Sequence, residues 1–363
     1  MRTTVALAAA LTCGLAARAA RAGNGTPINP STEPLTMAVF GDWPYSQTLL
    51  ENAPALIDSI DSDPKVRLVM HVGDIHSGSM PCTGAQLDPV PAGAAPGWNR
   101  GIFDIFQRLN DPVVYTPGDN EWTDCHKSKE SSSGYPPYEL AAVRSLFFPD
   151  PGVTLGGRRK QVETQAQAYD PAYPADAQFV ENVMWEESQV VFVTLNVPGG
   201  SNDDRTPWTG IFANPSAQLQ ERTDRDAANL RWLARAFQKA EADGARGVLV
   251  GLQADMWDPE ALPENGGDGL DGYTPLVQEL ADLSVDFGRP VLLLNGDSHV
   301  FEQDTPLADP SSPTGVIHGT QAVPNLTRIT VQGSTNDPSE WLRLTIDPRT
   351  PDVFDWTNVV YLP

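Results

Sequence analysis

The chain has 363 residues, with 47 acidic side chains against 24 basic ones and a formal net charge of −23 at pH 7. A field of that sign repels nucleic acid and anionic membrane surfaces, so no nucleic-acid partner is expected. A small anionic ligand is still admissible, provided that its site carries positive charge of its own, for which a metal ion is the usual source.

Residues 1–22 have the plan of a secretory signal: Arg2, a short apolar run over 5–16, and small residues at Ala20-Arg21-Ala22. That run is too short to span a bilayer and no later stretch is long enough, so we expect no membrane insertion and a secreted or periplasmic location. Residues 23–34 read as a linker and 35–363 as a single catalytic domain, ample for a substantial core. With Cys13 inside the signal, Cys82 and Cys125 remain, and in an exported chain one disulfide is favoured over two free thiols.

Six apolar runs follow, each ending in small or polar residues: 35–40 before Gly41-Asp42, 67–72 before Gly73-Asp74, 113–117 before Gly118-Asp119-Asn120, 190–195 before Asn196, 247–252 before Gln253, and 290–295 before Gly296-Asp297. Short, unalternating, β-branched runs indicate strands buried on both faces. Helical spacing over 47–60, at Ile102, Phe103, Phe106 and Leu109, and at Leu230, Leu233, Phe237 and Ala240 places helices between several of them, which predicts a largely parallel central sheet. After Asn325 the runs 328–331, 341–346 and 353–362 alternate and lack helices, which suggests a second, more antiparallel sheet beside the first. The stretches 80–97, 199–215 and 259–272 read as loops.

In open α/β sheets, ligands bind beyond the carboxyl ends of the strands. There the runs deliver Asp42, Asp74, Asp119 with Asn120, Asn196, Gln253, and Asp297 with His299. Carboxylates gathered at one place repel one another unless a cation neutralises them, so the grouping predicts metal. With oxygen donors dominant and one imidazole, manganese, magnesium or iron fits better than zinc.

The series Gly41-Asp42, Gly73-Asp74, Gly118-Asp119-Asn120-Glu121 and Gly296-Asp297-Ser298-His299 resembles the ordered motifs of the calcineurin-like metallophosphoesterases, over roughly residues 35–303. The resemblance implies an α/β fold with two mixed sheets in a four-layer α/β/β/α sandwich, two divalent or mixed-valence metal ions (Mn or Fe rather than Zn), and hydrolysis of a small anionic phosphoester. On that resemblance Asp42 binds the first metal, Asp74 bridges both, His299 completes the first site, and Asp119, Gln253 (or its neighbour Asp255) and Asp297 stand at the remaining ligand positions. Several positions depart from the family pattern. Asp42-Trp43-Pro44 lacks the usual first-motif His, Ser77 stands where one branch has Tyr, and Asn120 replaces the catalytic His.

Asn120 is a candidate catalytic residue that could hydrogen-bond the transferring phosphoryl group but cannot protonate a leaving group, so His76 and His126, just after motif loops, are the candidate acids. Glu121 and Asp124 extend the third motif as candidate supports, and Trp43, Trp122 and Trp257 flank motifs as pocket walls or packing. The basic run Arg158-Arg159-Lys160 is either an anion guide or a solvated loop. The expected function is an exported metal-dependent phosphoesterase, and the alternative is a non-catalytic metal- or ligand-binding protein on the same scaffold.

Overall fold

The structure, a computed structural model, describes residues 31–82 and 97–362. The signal at 1–22, most of the linker at 23–34 and nearly all of the 80–97 loop lie outside the described residues.

Among the described residues thirteen strands form: β1 (Leu35–Phe40), β2 (Val66–His71), β3 (Pro112–Tyr115), β4 (Leu155–Gly156), β5 (Glu163–Thr164), β6 (Val183–Glu187), β7 (Val190–Thr194), β8 (Gly247–Gly251), β9 (Val291–Asn295), β10 (Glu302–Asp304), β11 (Leu326–Thr330), β12 (Glu340–Ile346) and β13 (Phe354–Val360). Strands β1, β3, β7, β8 and β9 are buried at every position, as their unbroken apolar character demands.

The arrangement of the strands corrects the expectation of one parallel sheet followed by an antiparallel one. There are two mixed sheets, ordered β13-β12-β1-β2-β3-β4 and β10-β11-β9-β8-β7-β6-β5. The six apolar runs are shared out, β1, β2 and β3 pairing in parallel in the first sheet and β7, β8 and β9 in the second. The C-terminal strands are also divided. Strand β11 joins β9 in parallel, whereas β12 extends the first sheet antiparallel to β1 and β13 pairs antiparallel with β12 at its edge.

Three apolar layers explain why the runs are buried on both faces. Met37, Val39, Leu68 and Met70 of the first sheet meet Phe192, Leu249, Leu292 and Leu294 of the second. Alternate residues of the first sheet, Ala38, Val69, Val113 and Tyr115, pack under the helices Ala53–Asp61, Trp98–Phe106 and Pro136–Phe147. On the far side of the second sheet, Val191, Val193, Val248, Val250 and Leu293 lie against the helices Pro215–Asp243 and Thr274–Phe287. Each central strand thus buries one side-chain set under helices and the other against the opposing sheet.

The long helix starts where Asn214 accepts from the Ala217 N–H with Pro215 in the first turn, and stops at Gly244, whose φ of 67° suits a residue without Cβ. The helix expected over 47–60 is two pieces, Gln47–Glu51 and Ala53–Asp61, joined at Asn52 and followed by Pro54 in the opening turn of the second. No described helix is long and apolar enough to cross a membrane.

Candidate functional site

The loops after β1, β2, β3, β8 and β9 converge at one edge shared by the two sheets. The first two are bound to each other: the Asp42 N–H donates to Gly73 O at 2.9 Å, and the Trp43 N–H to Asp74 O at 3.0 Å. His71, which the sequence did not single out, ties them further. Its Nδ1 accepts from the Gly73 N–H at 3.2 Å, which leaves Nε2–H to donate to Trp43 O at 3.0 Å. Burial lowers its pKa to about 3, so the ring stays neutral in that role.

In the third loop Glu121 performs the support anticipated for it, its Oε1 accepting from the Tyr115 hydroxyl at 2.6 Å and the Gly118 N–H at 2.7 Å. Gly118 is required by close approach, since a Cβ there would lie 2.0 Å from Asp74 Oδ1. Cys82 and Cys125 are joined by a disulfide, with their Cα atoms 5.6 Å apart, which fastens the third loop to the segment following the second.

Four of the expected site residues hold left-handed backbone: Asp42 (φ 48°), Asp74 (60°), Asp297 (75°) and His299 (65°). Such conformations cost of order 1 kcal/mol each and persist where the surroundings impose them. Here they aim side chains from neighbouring loops at a single point.

That point is bounded by Asp42, Asp74 and His299, which offer ligand atoms within 4.8 Å of one another. Asp42 Oδ1 accepts from the Asp297 N–H at 3.1 Å, whereas Oδ2 is buried without a hydrogen-bond partner. Asp74 accepts from the Asn120 backbone N–H at Oδ1 (3.2 Å) and from Asn120 Nδ2 at Oδ2 (2.8 Å). Tyr45 is the residue that motif reasoning missed. Its hydroxyl lies 2.8 Å from Asp74 Oδ2, 3.3 Å from Asp42 Oδ1 and 3.1 Å from His299 Nε2. The available signal was the phenol three residues beyond Asp42 in a motif that lacks its usual His.

The other expected ligands form an adjoining group. Gln253 Nε2 donates to Asp119 Oδ1 at 3.1 Å, and its Oε1 accepts from the Gly199 N–H at 2.7 Å. A Cβ on Gly199 would lie 2.9 Å from both Asp119 Oδ2 and Asp297 Oδ1, so this glycine separates the two carboxylates. It opens the turn Gly199–Asp203, left-handed over residues 200–203 and held by the buried Arg225, which bonds Asn202. Asp255 is committed elsewhere, paired through Oδ1 with Arg328 Nη1 at 2.5 Å and accepting from Ser298 Oγ at 2.7 Å. Asn196 turns away too, donating to Glu181 Oε1 at 2.9 Å. A cavity of about 280 Å³ opens beside Asp297, between Ser201, Asp258 and Tyr273.

The electrostatics of the cluster are unfavourable to four ionised carboxylates. Burial, with the charge of Asp119 adding to it, pushes Asp42 up to about 8. Burial and neighbouring carboxylates raise Asp74 and Asp297 well above the usual range, and burial followed by the charge of Asp124 raises Asp119. Without a cation, ionising all four carboxyls together is costly.

His76 and His126 are not equipped to be proton donors. Burial depresses each to about 4, so both are neutral at pH 7. His126 Nδ1 accepts from the Thr209 N–H at 3.2 Å, while His76 bonds Ser77 O at 3.1 Å through Nδ1 and its Nε2 is buried without a partner. Trp43, Trp122 and Trp257 are all buried packing residues. The run Arg158-Arg159-Lys160 is spent on Asp111, Asp150 and Glu187, and Arg158 sits against Asn110, before β3 and thus at the end of that strand opposite the site.

No family model matches the chain, and no curated protein matches it. Among solved structures, GAP50, titled the anchor in the inner membrane complex of Plasmodium, is similar at a TM-score of 0.43 and 10% identity, over 91% of this chain and 90% of that one.

Proposed function

We propose that the chain is an exported, metal-dependent hydrolase of phosphoric esters, built as the four-layer α/β/β/α sandwich of the calcineurin-like metallophosphoesterases. The observation that carries this reading is the buried Oδ2 of Asp42, without a partner, beside Asp74 and His299 in a cluster whose carboxylates are raised together. A cation is the group such a donor set lacks.

Asp42, Asp74 and His299 would hold a first ion, and Asp74 with Asp119, Gln253 and Asp297 a second, of manganese or iron type. When bound, such ions supply Lewis acidity toward phosphoryl oxygens and a water acidic enough to attack near neutral pH. The Tyr45 hydroxyl spans Asp42, Asp74 and His299 and keeps the three in register. Asn120 orients Asp74 through two hydrogen bonds. Because Asn120 has no proton to give and His76 and His126 are neutral, the chain suits esters whose leaving groups need no protonation, so aryl phosphates should turn over faster than alkyl ones.

A second reading, a non-catalytic metal-binding protein, is favoured by one observation: Asn120 Nδ2 is spent on Asp74, Tyr45 and the His76 carbonyl. Elemental analysis of protein purified without chelators, beside Asp74→Asn, decides between them together with a screen of phosphate mono- and diesters. We expect about two equivalents of metal, lost in the variant along with hydrolysis. Metal without turnover of any ester would favour the second reading, and no metal in the parent would defeat both.

A further inference from the structure

We infer that Lys129, seated by Asp124 and Lys127 at the rim of the carboxylate cluster, is an anion-binding residue that takes the phosphoryl group of the substrate, an inference that rests on the phosphoester reading above. Nothing in the motif pattern points to it, because Lys129 stands outside the Gly-Asp motifs and the sequence's one conspicuous basic run lies elsewhere.

The anchor is Asp124, whose side chain is only 4% exposed. Its Oδ1 meets Lys127 Nζ at 2.6 Å and its Oδ2 meets Lys129 Nζ at 2.9 Å. The backbone N–H of Asp124 donates to Asp119 O at 3.0 Å, so the anchor hangs from the same loop as an expected metal ligand. Two ammonium groups thus share one carboxylate. The adjacent Glu130 does not cancel the surplus, because burial and then the charge of Asp124 push it up to about 10, and it is neutral at pH 7. Against the Asp124 carboxylate alone the two lysines leave one positive charge, in a chain whose formal net charge is −23.

The two lysines are not equivalent. The Lys127 side chain is 19% exposed, whereas that of Lys129 is 50% exposed, so Lys127 is the more enclosed of the two and Lys129 the one that solvent, and hence a ligand, reaches. Its ammonium lies beside Asn120 across Gly78: a Cβ on that residue would lie 2.9 Å from Lys129 Nζ and 2.5 Å from Asn120 Oδ1, so the ammonium and the amide flank one stretch of backbone. The opposite end of the Asn120 amide holds Asp74. The charge of Lys129 also bears on His299, whose pKa is lowered by burial first and by this ammonium second. Burial opposes the charge on Lys129, and Asp124 with Asp119 outweighs it, so its pKa is raised and the group is a fixed cation, not a proton donor.

A fixed ammonium beside a metal-ligand cluster is suited to a phosphoryl oxygen, which it meets as a point charge with a charge-assisted hydrogen bond. It also answers the problem set by the composition, since the rest of the surface repels the anion that the site is proposed to take.

The test is calorimetric titration of inorganic phosphate into the full chain with and without Mn²⁺, for the parent, Lys129→Met and Lys129→Arg, with manganese content measured on each. We expect the Met variant to keep its manganese, to bind phosphate about tenfold to a hundredfold more weakly, and to lose much of the salt dependence of that binding, and the Arg variant to restore most of the affinity. Unchanged phosphate affinity in a manganese-loaded Met variant would overturn the role of Lys129 and leave the metal reading standing. Manganese lost with Lys129 would overturn it as well, by making the residue a support of the metal site. Phosphate bound without manganese, and lost in the Met variant, would uphold Lys129 while defeating the metal reading. Neither manganese nor phosphate bound by the parent would overturn both.

Discussion

Asp42→Asn is expected to have opposite effects with and without metal. The folded protein holds the Asp42 carboxyl at about 8 against an unfolded value of 3.8, so in metal-free protein this group favours the folded state fully only below its unfolded pKa. That contribution is lost as pH rises from about 4 toward 8, where an unfolded carboxyl ionises freely and the buried one does so at a cost. The difference amounts to up to about 4 kcal/mol at pH 7. Asparagine has nearly the same shape, keeps an oxygen for the Asp297 N–H and Tyr45 hydroxyl, and removes the charge. In chelator, urea unfolding should therefore show the variant more stable than the parent at pH 7 and nearly equal to it at pH 4. With millimolar Mn²⁺ the order should invert, because a bound ion stabilises only the parent. A variant no more stable than the parent in chelator at pH 7 would show that the carboxylates do not strain one another, and the electrostatic case for a cation would fail.

Tyr45→Phe removes the hydroxyl that spans the three ligands, and manganese affinity measured by calorimetry should fall about tenfold, the usual effect of losing a partner that orients ligands; undiminished affinity would remove Tyr45 from the site. Gly118→Ala would bring a methyl to 2.0 Å from Asp74 Oδ1, so metal content by elemental analysis should drop while circular dichroism stays that of a folded chain. Reducing the Cys82–Cys125 bridge, which spans a sequence separation of 43, should cost about 4 kcal/mol on the loop-entropy model. A melting temperature unchanged by reductant would contradict this.

Much of the fold was legible because the signals are local. A run such as Val190-Val191-Phe192-Val193 has one low-energy use, a strand covered on both faces, and the Gly-Asp steps after such runs mark turns at strand ends. The helices Pro136–Phe147 and Thr274–Phe287 escaped notice because each begins in a proline-containing loop and shows only a modest apolar stripe. Asp42, Asp74 and His299 were found by their place after strands. Tyr45, His71 and Lys129 were not, because their meaning depends on which loop lies opposite. A phenol, an imidazole and an ammonium carry no signal of a role until Asp74, Gly73 and Asp124 are brought to hydrogen-bonding distance.

By itself, then, the sequence determined the strands, the residues that follow them, the strongly acidic charge balance, and the pair of cysteines able to bridge. Tertiary structure alone decided that six similar runs divide between two sheets, because burial on both faces is satisfied equally by a helix or by another sheet and leaves no mark on a strand's own residues. It alone decided, too, that Asp255 serves Arg328 and that Gln253 reaches Asp119. The residues lie two apart in the chain, and only the packing of β8 beneath its neighbours chooses which side chain turns toward the carboxylates.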